Sequence, residues 1–147
     1  MSVLLDTNVL TRLADPQGAL RVVATAATNR LIRSGETLHI VPQNLYEFWS
    51  VATRPLGENG LGLTTARTKE IPDALRLGAT LLPDSAAITT EWERLVIDYD
   101  AKGKTAHDTR LVAAMHVHQL TSLLTFNLRD FARYRGITIL NPAELAK

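Results

Sequence analysis

Four carboxylates stand where the chain passes from a strand or loop into a helix. Asp6 follows the apolar run Val3, Leu4, Leu5; Glu47 lies in "NLYEFW"; Asp108 lies in "HDTRLVAAM"; Asp130 lies in "TFNLRDF". A charge at the end of a strand buried on both faces is costly unless something pairs with it. Each acid has an ordinary local role open to it. Asp6, Thr7 and Asn8 are good helix caps, Thr105 with Asp108 and Asn127 with Asp130 have capping-box spacing, and Glu47 could pair with Arg54. As a set they suggest more, because parallel connections can carry helix starts to one edge of a sheet and there form an acidic pocket. Carboxylates so gathered repel, which raises at least one pKa and makes the cluster titrate as a unit; a divalent cation removes the repulsion. Hard oxygen donors favour Mg²⁺ or Mn²⁺ over zinc.

The elements that must do this positioning alternate along the chain. "VLL" reads as a first strand, and residues 18–34 place Leu20, Val23, Ala24, Ala27 and Leu31 at helical spacing. "TLHIV" (37–41) is a second strand, with Pro42 in the first turn of a helix over "QNLYEFWSVAT". Gly57, Gly60 and Gly62 mark a mobile loop, and helical patterns follow at 64–77 and 86–101. A helix begins at about His107, where Asp108 shares a stripe with Leu111, Val112 and Met115; then come the strand "SLLTFN", the short helix "LRDFARY", and the strand "GITIL" closed by "NPAEL". Short apolar strands alternating with helices predict an α/β fold with a parallel sheet covered on both faces.

Composition narrows the function. The 147 residues, 46% hydrophobic, suit a single domain spanning 1–147. The absence of cysteine excludes disulfides, thiolate nucleophiles, zinc-thiolate sites and iron–sulfur clusters. The start "MSVLLDTNVL" has no basic leader followed by a long apolar stretch, so a cytoplasmic protein with no membrane segment is expected. A net charge of +1 is not the footprint of a nonspecific nucleic-acid binder, and any polyanion must be held by a local patch.

In order, spacing and surroundings, "LLDTNVL", "NLYEFW", "HDTRLVAAM", and "LLTFNLRDF" followed by "GITILNP" resemble the PIN-domain ribonucleases, specifically the VapC-like toxins of bacterial and archaeal toxin–antitoxin systems. The resemblance covers nearly the whole chain and implies a three-layer α/β/α sandwich around a central parallel sheet. It implies Mg²⁺ (or Mn²⁺) bound by Asp6, Glu47 and Asp108, with Asn127 or Asp130 completing the set. Thr7, Asn8 and Thr125 match supporting polar residues. It further implies metal-assisted hydrolysis of RNA, a cognate antitoxin, and a homodimer. Such chemistry needs no Ser, Cys or His nucleophile, since a water acidified by the cation can attack an in-line phosphodiester.

Other residues divide less sharply. Arg12, Arg54, Arg110 and Arg129 are candidate phosphate contacts, with Arg110 and Arg129 favoured because each is close in sequence to the acidic set. Tyr46 and Trp49 could stack on bases, but beside Leu45 and Phe48 they read as core. His116 and His118, two apart on a helix, do not face the same way and do not share a metal; His107 could support Asp108, and His39 reads as structural. A phosphoacceptor signalling domain is disfavoured, because "TLHIV" lacks its aspartate and "SLLTF" its lysine. The alternative that stays open is a non-catalytic PIN-fold module that only binds RNA or a partner.

Overall fold

The computed structural model describes residues 1–147. Five strands, β1 (Ser2–Leu5), β2 (Thr37–Ile40), β3 (Ala79–Leu81), β4 (Ser122–Leu124) and β5 (Thr138–Leu140), form one all-parallel sheet in the order β3-β2-β1-β4-β5. Seven α-helices connect them, α1 (Thr7–Ala14), α2 (Leu20–Arg33), α3 (Pro42–Thr53), α4 (Thr65–Leu75), α5 (Ala86–Asp98), α6 (Thr105–Val117) and α7 (Leu128–Phe131), and α8 (Pro142–Leu145) follows the last strand. None is long and apolar enough to cross a membrane.

Side-chain alternation along the strands builds two cores. Val3 and Leu5 of β1, with Leu38, Ile40 and Leu124, pack against Val9, Leu10, Ala24, Leu31 and Phe48 of α1, α2 and α3. Leu4, with Leu123, faces the opposite way onto Ile88, Leu95, Leu111, Val112 and Met115 of α5 and α6. The sheet is therefore the middle of three layers, as the alternating pattern predicts. From β1 the chain winds outward through β2 and β3, then returns to lay β4 on the other flank of β1. That reversal opens a crevice at the carboxyl ends of β1 and β4, the usual ligand position of such sheets.

Several local readings change. β3 was not anticipated: Ala79, Thr80 and Leu81 are too few to show a period, and the strand is fixed by pairing with β2. The strand expected over 122–127 stops at Leu124, because the Asn127 N–H donates to Thr125 Oγ1 (2.9 Å) and turns the chain out of the ladder. α6 starts at Thr105 rather than His107, two residues earlier, and Leu111, Val112 and Met115 are buried as expected. Neither capping box forms, since the caps Lys104 of α6 and Asn127 of α7 make no side-chain cap hydrogen bond. The glycine-marked segment is not loose: Leu61, Gly62 and Leu63 N–H groups donate to the Val51, Arg54 and Ala52 carbonyls at 3.1, 2.8 and 2.9 Å, folding it onto the end of α3. Tyr46 and Trp49 are not core; they are 69% and 38% exposed, while Phe48 is fully buried on the opposite face of α3.

Candidate active site

The crevice holds a cleft of about 890 Å³ lined by Asp6, Glu47, Asp108 and Asn127, which brings together residues up to 121 positions apart. Asp6 is 8% exposed at the end of β1. Its N–H continues the ladder to the Leu124 carbonyl (2.9 Å), so the backbone that aims it is fixed by β4. One carboxylate oxygen accepts from the Thr7 N–H (2.7 Å), capping α1, and the other accepts from the Thr125 hydroxyl (2.7 Å). The capping role expected of Asp6 is therefore present, and it uses only one of the two oxygens. Asn8 locks the same corner: its amide donates to Thr125 Oγ1 (3.2 Å), and its carbonyl accepts from the Phe126 N–H (3.2 Å).

Glu47, on the second turn of α3, is held by α1. The Thr7 hydroxyl donates to its Oε1 (2.7 Å) and itself accepts from Asn44 Nδ2 (3.2 Å). Asn44 is fully buried, and its amide oxygen accepts from the Val41 N–H (2.8 Å) that starts the helix. On the far side Gln43 Nε2 donates to Glu47 Oε2 (3.4 Å) and to the His107 carbonyl (2.8 Å), tying α3 to α6. Asp108, in the first turn of α6, is half-buried and faces the same cleft.

No ion pair reaches Asp6, Glu47 or Asp108. Two of the acids are raised, the direction expected of a cluster, but burial outweighs mutual repulsion as the cause. Burial, with smaller contributions from the charges of Asp108 and Glu47, lifts Asp6 to about 6 against the pull of its two hydrogen bonds. Burial, then the charges of Asp130 and Glu47, lifts Asp108 to about 6 as well. Asp130 is exposed and does not line the cleft, yet it stands near enough to Asp108 to be felt. Asn127 lines the cleft itself.

The acids surround the cleft without closing on a point: no three acidic or imidazole groups stand in ready ligand geometry. This spacing still fits a hard cation, because Mg²⁺ keeps several waters and takes only one or two carboxylates directly. The carboxylate donors are all oxygen, none is in an ion pair, and Asp6 and Asp108 resist ionisation chiefly because they are buried.

The basic residues fall differently from their sequence neighbourhoods. Arg110 is engaged elsewhere, donating to Gln43 Oε1 (3.1 Å) and pairing with Asp84 (3.2 Å), and Arg129 does not line the cleft. Arg12, Arg54, Lys104 and His107 do line it. His116 pairs with Glu91 of α5 (2.8 Å) and His118 with the Pro83 carbonyl (2.9 Å), so the two are directed to different partners. The polar scaffold residues Gln43 and Asn44 were not singled out from the sequence. Their only signal was burial-incompatible side chains in the first turn of a helix that must pack.

The family model described as PIN domain matches residues 3–137. No curated protein matches the chain. Among solved structures, the chain is similar to VapBC2 from Rickettsia felis bound to a DNA fragment from their promoter, at 15% identity and a TM-score of 0.73 over 96% of this chain and 98% of that one. It is similar to VapC20 of Mycobacterium tuberculosis, a Sarcin-Ricin loop cleaving toxin, at 16% identity and a TM-score of 0.65 over 88% and 93%. A toxin–antitoxin complex from Klebsiella pneumoniae aligns at 21% identity and a TM-score of 0.65 over 95% and 97%. At such identities the likeness is one of fold.

Proposed function

Because the chain belongs to the PIN domain family, we propose that it is a metal-dependent endoribonuclease acting as the toxin of a toxin–antitoxin pair. The observation that carries the reading is the convergence of Asp6, Glu47 and Asp108, from three separate elements, on one cleft at the switch point of the sheet, with none of the three in an ion pair. Asp6, Glu47 and Asp108 would hold Mg²⁺ or Mn²⁺, with Asn127 directly or Asp130 through water completing the set. Such a cation supplies an acidified water and charge stabilisation at the phosphate. The protein's part is orientation. Thr125 fixes the Asp6 carboxylate, Thr7 and Gln43 fix both oxygens of Glu47, and the Asn8 bridge keeps β1 and β4 in step. The neighbours of known assembly support a cognate antitoxin, and a homodimer belongs to the same reading.

The test is cleavage of single-stranded or looped RNA in Mg²⁺ or Mn²⁺. Asp6→Asn, Glu47→Gln and Asp108→Asn are each expected to abolish cleavage while the circular dichroism spectrum is kept, and EDTA to stop the wild type. Full activity in EDTA would overturn the metal mechanism, and full activity of all three variants would overturn the site.

A further inference from the structure

The acidic end of the cleft explains how a phosphate is attacked, but not how a polyanion is retained by a chain of net charge +1. Arg12 and Arg54 occupy the other end. Arg12 lies in the last turn of α1, six residues beyond Asp6; Arg54 caps the C-terminus of α3, seven residues beyond Glu47. At 1.5 Å per residue this sets both guanidinium-bearing residues roughly 9–11 Å along their helices from the carboxylates. Helices α1 and α3 pack against each other, so the two arginines wall the same stretch of cleft.

Neither is neutralised. Arg12 makes no side-chain hydrogen bond and no ion pair, and its Nε is sealed from solvent without a partner. Asp15, which also lines the cleft, spends one oxygen on the Gln17 N–H (3.1 Å) and does not pair with it. Arg54 donates Nε to the Ser50 carbonyl (3.2 Å), which leaves both terminal nitrogens of its fork without a partner. Its backbone is clamped by the Gly62 N–H (2.8 Å) and by the close passage of Gly60, where any Cβ would overlap the Arg54 carbonyl. Two positioned forks in a cleft whose carboxylates they do not pair with suit an anion from outside, and the planar guanidinium matches phosphate bidentately.

We propose that Arg12 and Arg54 form an anion subsite that takes a backbone phosphate of the RNA strand next to the one presented to Asp6, Glu47 and Asp108. The proposal rests on the nuclease reading above and deepens it. The fork of Arg110, by contrast, is already held by Gln43 and Asp84.

Binding of a labelled mixed-sequence single-stranded RNA to the Asp6→Asn protein in EDTA, across a series of KCl concentrations, tests it without cleavage. Each phosphate contact in a single strand contributes about 0.7 to the slope of log affinity against log salt, or about five-fold at 0.1 M relative to 1 M. Arg12→Gln and Arg54→Gln are each expected to weaken binding about five-fold at 0.1 M salt, and the pair to flatten the slope by about 1.4. Arg33→Gln, the same charge loss on α2 outside the cleft, should leave the slope unchanged. The double Arg→Lys variant should keep it, which separates charge from any packing defect. RNA binding by the parent with the same slope in the double Gln variant would overturn the subsite alone. No RNA binding by the parent would overturn the nuclease reading and the subsite with it.

Discussion

At Asp6 two hydrogen bonds and the cost of burial work against each other, and burial wins: the carboxyl rises from 3.8 to about 6. For an acid whose native pKa lies above its unfolded one, the native state binds more protons than the unfolded state between the two values. Stability therefore falls as pH rises through that window, and the loss is complete above about 6. In metal-free protein the ionised Asp6 thus costs on the order of 2–3 kcal/mol at neutral pH relative to the protonated form. Asp108 shifts the same way, again chiefly through burial. Asp6→Asn removes the titration while keeping an acceptor for Thr125. Urea unfolding in EDTA is expected to show the variant gaining on the wild type by about 2–3 kcal/mol between pH 4 and pH 7. A difference that stays flat over that range would show that Asp6 ionises without penalty.

At the scale of elements, the turn from α3 into α4 carries a clear steric demand. Gly60 passes so close to the Arg54 carbonyl that a Cβ would overlap backbone atoms, whereas a Cβ at Gly57 meets nothing within 4 Å. Gly60→Ala is therefore expected to destabilise the fold by about 1–3 kcal/mol, and Gly57→Ala to change it by less than about 0.5 kcal/mol. Urea midpoints at unchanged slope would measure both, and equal midpoints for the two variants would refute the contact. That demand was hidden in the sequence, where the three glycines announce only a loop. What was legible there followed from period and punctuation: Pro42 starting α3, the stripe of Leu111, Val112 and Met115, and the apolar β1 ending in Asp6. What was not legible depends on meetings between distant segments. β3 exists because β2 pairs with it, Asn44 and Gln43 reach Thr7, Glu47 and the His107 carbonyl because α1 and α6 dock on α3, and Arg12 and Arg54 line the cleft where Arg110 and Arg129 do not, because closeness in sequence is not closeness in the cleft.

Taken whole, the molecule is nearly neutral, yet its switch-point cleft concentrates carboxylates that no residue of the chain ion-pairs. A partner that silences the proposed nuclease has a direct route: to place a Lys or Arg side chain among Asp6, Glu47 and Asp108, where it would gain charge-assisted hydrogen bonds and take the position of the cation. Partner and metal would then compete, and by linkage each must weaken the other by the same factor. Mn²⁺ is accordingly expected to raise the apparent Kd of the cognate antitoxin for the wild-type chain. Neutral Asp108→Asn protein should bind the antitoxin less tightly and show a smaller response to Mn²⁺. In cells the same scheme has a plain readout. Expression of the wild type alone should slow growth, co-expression of the antitoxin should restore it, and Asp108→Asn should be harmless by itself. If wild type and Asp108→Asn proved equally harmless at equal abundance, the chain would not be a toxin, although the metal-dependent cleavage of RNA in vitro could still stand. If the antitoxin bound equally well with and without Mn²⁺, it would act from outside the cleft, and the unpaired carboxylates would be reserved for the metal alone.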